Sequence, residues 1–216
     1  MANRPVFMAE TTAPFCFERG VEFEWYPGLS AAQKRRSLQS LHDHFTARFP
    51  DRKVLEISSK STLPLGVALS AFNLQLTAEG VRRPVECFYH AGKVFLHGGP
   101  YPDLLHASPR DAKRDERLKT GGMLIGFRLG AQEFTTKPVH FFYDWLYLNA
   151  LRQNPDLADR LLAYDAFTDI EFNPARSLNC QARAAATYVG LHRAGLLEEA
   201  LSSPQAYRRI VYGLAI

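Results

Sequence analysis

The sequence predicts an α+β protein that is predominantly helical, with a small β-sheet. Three observations predict it. Apolar residues recur at helical spacing between capping signals, as in Phe141, Trp145, Leu148 and Leu151. Only two short runs, 53–58 and 123–129, read as buried strands. A hydrophobic fraction of 46% with 12% aromatic residues, over 216 positions, is enough to enclose a core.

The elements follow in order. Ser30 suits an N-cap for a helix running through Ala47, which Pro50 stops. Lys53 to Ser58 is the first strand. Gly98 to Gly122 reads as the one long polar loop, a place where loops line sites. Met123 to Leu129 is the second strand. Pro138 opens a long helix through Gln153, and Asn154-Pro155 caps and starts another that ends near Tyr164. Leu178 to His192 form a helix closed by Gly195, and Pro204 opens a last short one. No repeat, low-complexity tract or Gly/Ser linker interrupts the chain. It therefore reads as a single domain over 1–216, with a core of about 20–200 and a C-terminal helix, 204–213, as an appendage.

Composition narrows the functional classes. The net charge of +4 comes with basic clusters at Lys34-Arg35-Arg36 and across Arg110 to Lys119, the second interrupted by Asp111, Asp115 and Glu116. Such runs read first as solvated helix faces, and they are compatible with a nucleic-acid substrate without requiring one. Cys16, Cys87 and Cys180 are odd in number and far apart. That suits buried thiols in a reducing cytoplasm and excludes a disulfide framework or a Cys-based zinc site. No run approaches the roughly 18 apolar residues of a membrane span, and Met1-Ala2-Asn3-Arg4-Pro5 opens no signal peptide. The expected location is cytoplasmic, away from membranes. The Gly-rich phosphate and dinucleotide loops and the Gly-x-Ser-x-Gly elbow are all missing from the sequence. His42 and His44, two apart on a helix, face apart, so no metal and no cofactor are expected.

The most informative run is Val85-Glu86-Cys87-Phe88-Tyr89-His90-Ala91-Gly92-Lys93-Val94-Phe95. It sets a carboxylate and an amine seven positions apart in apolar surroundings. As a helix, the run would place both charges on one face, about 10 Å apart with about 20° of drift, and Tyr89 or His90 between them. As a hairpin, it would turn at His90-Ala91-Gly92. Pro84 and the Gly98-Gly99-Pro100 stop favour the helix, Val85, Phe88, Val94 and Phe95 favour strand, and local rules leave both open. The plain alternative is a Glu–Lys stripe on a solvated face. In one pocket, the pair would suit cleavage of an N-glycosidic bond. A carboxylate shuttles the proton, and an amine with a lowered pKa attacks the anomeric carbon to form a Schiff base.

This run resembles the signature of the NADAR/YbiA family, Ser-Glu-His-Tyr-x-Gln-Ala-x-Lys-Phe, whose Glu and Lys are also seven apart. Leu69-Ser70-Ala71-Phe72-Asn73 stands where that family has Phe-Ser-Asn-Phe. The stretch from Ala107-Ser108-Pro109 to Lys113-Arg114, the helix from Asn149 to Leu162, Ile170-Glu171 and Asn179 fall in the family's order. The chain is most similar to the DarT-associated NADAR antitoxins, through Glu24-Trp25-Tyr26-Pro27-Gly28, His97-Gly98-Gly99-Pro100-Tyr101 and Tyr164 to Pro174. The resemblance covers most of residues 4 to 200. Asn173-Pro174-Ala175-Arg176 replaces the Asp-x-x-Trp-Gly segment of the YbiA branch, so no role of that Trp or Asp transfers.

The resemblance implies an ADP-ribosyl glycohydrolase that removes ADP-ribose from guanine bases in DNA, as antitoxin to a DarT-type ADP-ribosyltransferase. Guanine-linked ADP-ribosylated DNA would be its substrate, ADP-ribose its product and the toxin its functional partner. It assigns Glu86 as general acid/base and Lys93 as the nucleophilic or electrostatic amine. Ser70, Phe72 and Asn73 would face the ribose and its base, with Tyr89 beside the pair. Lys60, among Ser58, Ser59 and Ser61, is a candidate phosphate ligand or a solvated lysine. Tyr101 would stack on adenine or belong to the core; Trp145 reads as core. Asp169 lies on a polar face with Glu171 that meets either a pocket or water, and Asn179 is a pocket residue or a helix cap. Two rival functions remain: an N-glycosidase on a riboflavin-pathway-like metabolite, and an antitoxin that neutralises by binding alone.

Overall fold

The computed structural model describes residues 1–28, 30–173 and 179–214. In chain order its strands are β1 (Ala2–Ala9), β2 (Cys16–Phe23), β3 (Val54–Glu56), β4 (Gln75–Ala78), β5 (Val81–Pro84), β6 (Lys93–Phe95), β7 (Leu124–Leu129), β8 (Gln132–Phe134) and β9 (Ala166–Thr168). The helices are α1 (Ala31–Arg48), α2 (Pro64–Ala68), α3 (Val85–Ala91), α4 (Pro109–Arg114), α5 (Arg117–Thr120), α6 (Phe141–Arg152), α7 (Pro155–Leu161), α8 (Gln181–Arg193), α9 (Leu197–Ala200) and α10 (Pro204–Tyr212). The mixed, mainly helical α+β class is the one the sequence predicts. The chain forms two units, 1–70 with 155–216, and 71–154.

In the first unit, four strands lie in the order β2-β1-β9-β3. β9 runs antiparallel to β1 and parallel to β3. Val6, Met8, Val21 and Phe23 form a core with Leu38, Leu41 and Phe45 of α1. Residues 5–9 are all buried, so both faces of β1 are covered, the second by α8. Gly190 permits that approach: a Cβ there would lie 2.2 Å from the Phe15 carbonyl oxygen and 2.4 Å from that of Glu10. Sequence reasoning missed the β1–β2 hairpin. Pro5 has no N–H to give to a ladder, but β9 pairs only with Phe7 and Met8, which leaves Pro5 beyond that ladder.

The expected helices are found with shifted ends. Ser30 caps α1, its Oγ accepting from Gln33 N, and Phe49 closes it before Pro50. The helix expected from Pro138 begins at Phe141, because Pro138 sits in a turn whose carbonyl accepts from Phe141 N. α8 begins at Gln181; the expected start at Leu178 lies outside the described residues, as do Pro174, Ala175 and Arg176. Ser203 caps α10, and Gly213, at φ 65°, ends it in the left-handed conformation that favours glycine. No disulfide joins the three cysteines; Cys87 and Cys180 are buried, but Cys16 only partly.

In the second unit, the β4–β5 hairpin leads into α3, and β6-β7-β8 form a three-stranded antiparallel sheet. α6 lines this sheet through aromatic packing, with Phe127 stacked on Phe142 at 4.6 Å and Phe134 at 4.9 Å from Phe142. Its C-terminal end is pinned to β4: Gln153 Oε1 accepts from Thr77 N at 2.7 Å, and Asn154 Nδ2 donates to Gln75 O at 2.8 Å. The expected loop 98–122 is instead a 3₁₀ turn, Pro102–His106, followed by α4 and α5. Ser108 caps α4, accepting from Asp111 N and donating to Asp111 Oδ2 at 2.6 Å. These turns are too short and too charged to show apolar periodicity.

Candidate active site

Both readings of the 85–95 run hold half of the truth. Pro84 precedes a helix of seven residues, Val85–Ala91, after which Gly92 turns the chain into β6. Lys93 is therefore the first residue of a strand and not a position two turns along a helix, which corrects the helical geometry. Gly92 is required by close approach: a Cβ would lie 2.7 Å from Arg128 O and 2.8 Å from Phe142 Cζ. Arg128 N donates to Gly92 O at 2.7 Å and fixes the switch.

The switch brings three groups into a chain of hydrogen bonds. Glu86, 5% exposed, is anchored by its backbone N–H to Ala71 O at 3.0 Å. Its Oε1 accepts from His90 Nε2 at 3.2 Å and from Lys113 Nζ at 3.0 Å. His90 Nδ1 lies 3.2 Å from Lys93 Nζ. The carboxylate can only accept, so Nε2 carries the imidazole proton and Nδ1 accepts from the lysine. Glu86 and His90 face each other through the i,i+4 spacing of a helix, a signal the sequence contained. Lys113 arrives from α4 and had no local signal.

Burial and charge set the protonation states. Burial works to raise the Glu86 pKa, but the His90 bond and the Lys113 ammonium outweigh it and hold the carboxyl below its ordinary value. Burial likewise lowers His90, with the Lys93 and Lys113 charges adding to it against the pull of Glu86, so the imidazole is neutral. Lys93 is pushed down to about 8, by burial first and by Lys113 next, against the attraction of Glu86. At pH 7 roughly a tenth of it is an uncharged amine.

Aromatic rings frame this array. Lys93 Nζ sits 4.6 Å from the Tyr89 ring centre, and Tyr89 packs on Phe127, Phe142 and Tyr143. Lys113 Nζ lies 5.3 Å from the Phe72 ring, which places that expected residue at the array. Asn73 is exposed, its carbonyl accepting from Gln75 Nε2 at 2.8 Å. Tyr101 is half-buried with Arg117 over its ring at 4.6 Å, and Asp103 and Asp115 hold that guanidinium. Trp145 is core, 8% exposed. The basic stretch 110–119 is thus partly paired internally, Lys119 with Glu116 as well.

The remaining expected residues belong to the first unit. There the parallel register sets Glu56 beside Thr168, whose Oγ1 donates to Glu56 Oε2 at 2.6 Å. Ser58 Oγ, at 2.6 Å, and Ile170 N, at 2.9 Å, donate to Glu56 Oε1, and His42 Nε2 meets Thr168 Oγ1 at 2.8 Å. Asp169 Oδ2 accepts from Gln181 Nε2 at 3.0 Å, while its Oδ1 accepts from Glu171 N and Phe172 N. Burial raises the pKa of both Glu56 and Asp169, and their mutual repulsion adds to the rise of Asp169. The polar face is therefore split: Asp169 turns inward, and Glu171 pairs with Lys34. Lys60 is half-buried, its N–H donating to Ser58 Oγ at 3.1 Å, and Ser70 is buried. Asn179 is not the cap of α8, since Cys180 holds that position. Glu56, His42 and Gln181 escaped sequence reasoning, because only the β3–β9 pairing brings them together.

Among the described residues, no group of three His, Cys, Asp or Glu is placed to hold a metal ion. No helix in them is long and apolar enough to cross a membrane. A family model described as the DarT1-associated NADAR antitoxin matches residues 2–216. No curated protein matches the chain.

Proposed function

The chain belongs to the DarT1-associated NADAR antitoxin family, and from that premise we propose that it is an ADP-ribosyl glycohydrolase that frees guanine bases in DNA of ADP-ribose laid down by a DarT-type toxin. The observation that carries the reading is the buried array in which an ionised Glu86 and a Lys93 of lowered pKa meet on one imidazole. A solvated Glu–Lys stripe would be exposed and would leave the amine fully charged.

Chemistry follows from these states. Glu86 takes the N–H proton of the nitrogen that links base to sugar, and passes it to the ring oxygen as the C1–O bond opens. The nitrogen lone pair forms a C=N bond to C1. Neutral Lys93 adds to that carbon, the base leaves with a proton, and a Lys93–C1 imine remains. Water adds to the imine, the C1–Nζ bond breaks, and ADP-ribose departs with Lys93 regenerated. Tyr89 covers one side of the amine and excludes water from it.

The test is an oligonucleotide ADP-ribosylated on guanine, with a thymine-linked adduct as control. Release from guanine alone is expected, because a glycosidase site reads the leaving base as well as the sugar. Equal rates on both linkages overturn the specificity, and release from neither overturns the activity.

A further inference from the structure

We propose that His90 is a reversible proton relay between Lys93 and Glu86, moving one proton outward when the base leaves and one inward, drawn from water, when the amine leaves. The inference rests on the glycosidase reading above and names a residue that reading does not require. Geometry carries it. Lys93 Nζ and Glu86 Oε1 are joined through opposite nitrogens of one ring, at 3.2 Å on each side. A ring that only braced the helix would need one of those bonds. The ring is 5% exposed, so bulk water does not compete for either nitrogen.

The proton count closes over a turnover. Once Nζ has bonded to C1 and given a first proton directly to the base nitrogen, it still carries one proton too many for the imine to form, and the departing base nitrogen still lacks one. Nδ1 accepts the proton from Nζ while Nε2 gives its own to Glu86 Oε1, which protonates the base. His90 is left as the Nδ1–H tautomer. When water then adds to C1, Glu86 removes a water proton and returns it to Nε2. The Nδ1 proton returns to Nζ, the new hydroxyl on C1 gives Nζ its second proton as the C=O forms and the C1–Nζ bond breaks, and the starting tautomer is restored. No oxidant or further reactant is needed.

Other charged groups around the ring fit this role. Glu86 lies on the same helix, Lys93 on β6 and Lys113 on α4, while the Tyr89 ring meets His90 edge-on at 5.1 Å. Lys113 bonds Glu86 Oε1, the same oxygen that receives the relayed proton. It favours quick release of that proton towards the substrate. The NADAR/YbiA signature carries glutamine four residues after its Glu, where this chain has His90. A glutamine offers the same two bonds, accepting from the lysine and donating to the carboxylate, but cannot conduct a proton through itself.

His90→Gln is accordingly the informative variant. Two readouts do not depend on the guanine activity. Nitrogen-15 NMR of the parent protein should show the His90 ring neutral with its proton on Nε2 at pH 7. A cationic ring or an Nδ1–H ring there overturns the relay, whether or not the variant folds. Glycolaldehyde with cyanoborohydride should label Lys93 through its imine, and the folded variant should label at least roughly tenfold more slowly. Labelling as fast as in the parent overturns the relay. If the tautomer and the slowed labelling are seen but guanine-linked ADP-ribose stays uncleaved, the relay stands and the glycohydrolase reading fails.

Discussion

Lys113 Nζ lies 3.0 Å from Glu86 Oε1, so a half-exposed lysine on one short helix fixes the charge of a carboxylate buried in another. The ammonium lowers the Glu86 pKa and, by repulsion, that of Lys93. Lys113→Gln should raise both. The two rising limbs of the rate profile, set by ionisation of Glu86 and, at higher pH, by deprotonation of Lys93, should then shift to higher pH, with several-fold lower activity at pH 7, and Lys113→Arg should restore the profile. Limbs that stay in place in Lys113→Gln would show that the contact is only crowding.

Glu86→Gln keeps the shape of the side chain but cannot carry a proton. Turnover should fall by about 100-fold or more while ADP-ribose still binds. Calorimetry beside single-turnover kinetics separates the two effects, and loss of binding with unchanged turnover would contradict the assignment.

Lys93 offers a sharper test, because charge and nucleophilicity can be separated. Lys93→Ala loses both; Lys93→Arg keeps the charge but stays protonated and forms no imine. Both should be inactive, and borohydride should trap a covalent adduct only in the parent. The parent rate should climb as pH rises through about 8, where the amine loses its proton. A substantially active Lys93→Arg protein would reduce Lys93 to an electrostatic role.

The same lysine should cost stability. Its folded pKa, about 8, lies below that of an unfolded lysine, so the folded state resists binding this proton. The cost is full below pH 8, shrinks as pH rises from there, and is gone near pH 10.5. Lys93→Met should therefore raise Tm at pH 7, by a stabilisation of order 1–3 kcal/mol, with the gain narrowing towards pH 10. A gain of equal size at both pH values would point to packing instead of charge.

Lys60 provides the fifth check. If its side chain holds a phosphate of the ligand, millimolar ADP-ribose should raise the Tm of the parent and raise it less in Lys60→Ala. No shift in the parent would count against an ADP-ribose site altogether.

Much of this was legible in the residues. Ser30, Pro155, Pro204 and Gly195 announce helix ends, because capping chemistry acts within four residues. The Glu86–Lys93 spacing drew attention to the candidate site, although its helix-to-strand switch depends on Gly92 meeting Arg128 and Phe142. What stayed hidden depends on pairing across long stretches of chain. Glu56 meets Thr168 only through the β3–β9 register, and Lys113 meets Glu86 only once α4 packs on α3. β1 likewise finds its partner β9 far along the chain, at Phe167 and Ala166.

The order of the sheet also has a consequence for biosynthesis. β9 is the strand that joins β1 to β3, and it is synthesised only after the whole stretch 71–154. Phe7 and Met8 must therefore wait for their partners Phe167 and Ala166 while an uninterrupted unit, carrying Glu86, His90, Lys93 and Lys113, is already complete in sequence. Distant pairings of this kind slow folding and leave a sticky edge in the nascent chain. Supply of functional protein is then governed by how soon residues 166–168 arrive, and a chain halted before them would present a half-built sheet to chaperones and proteases.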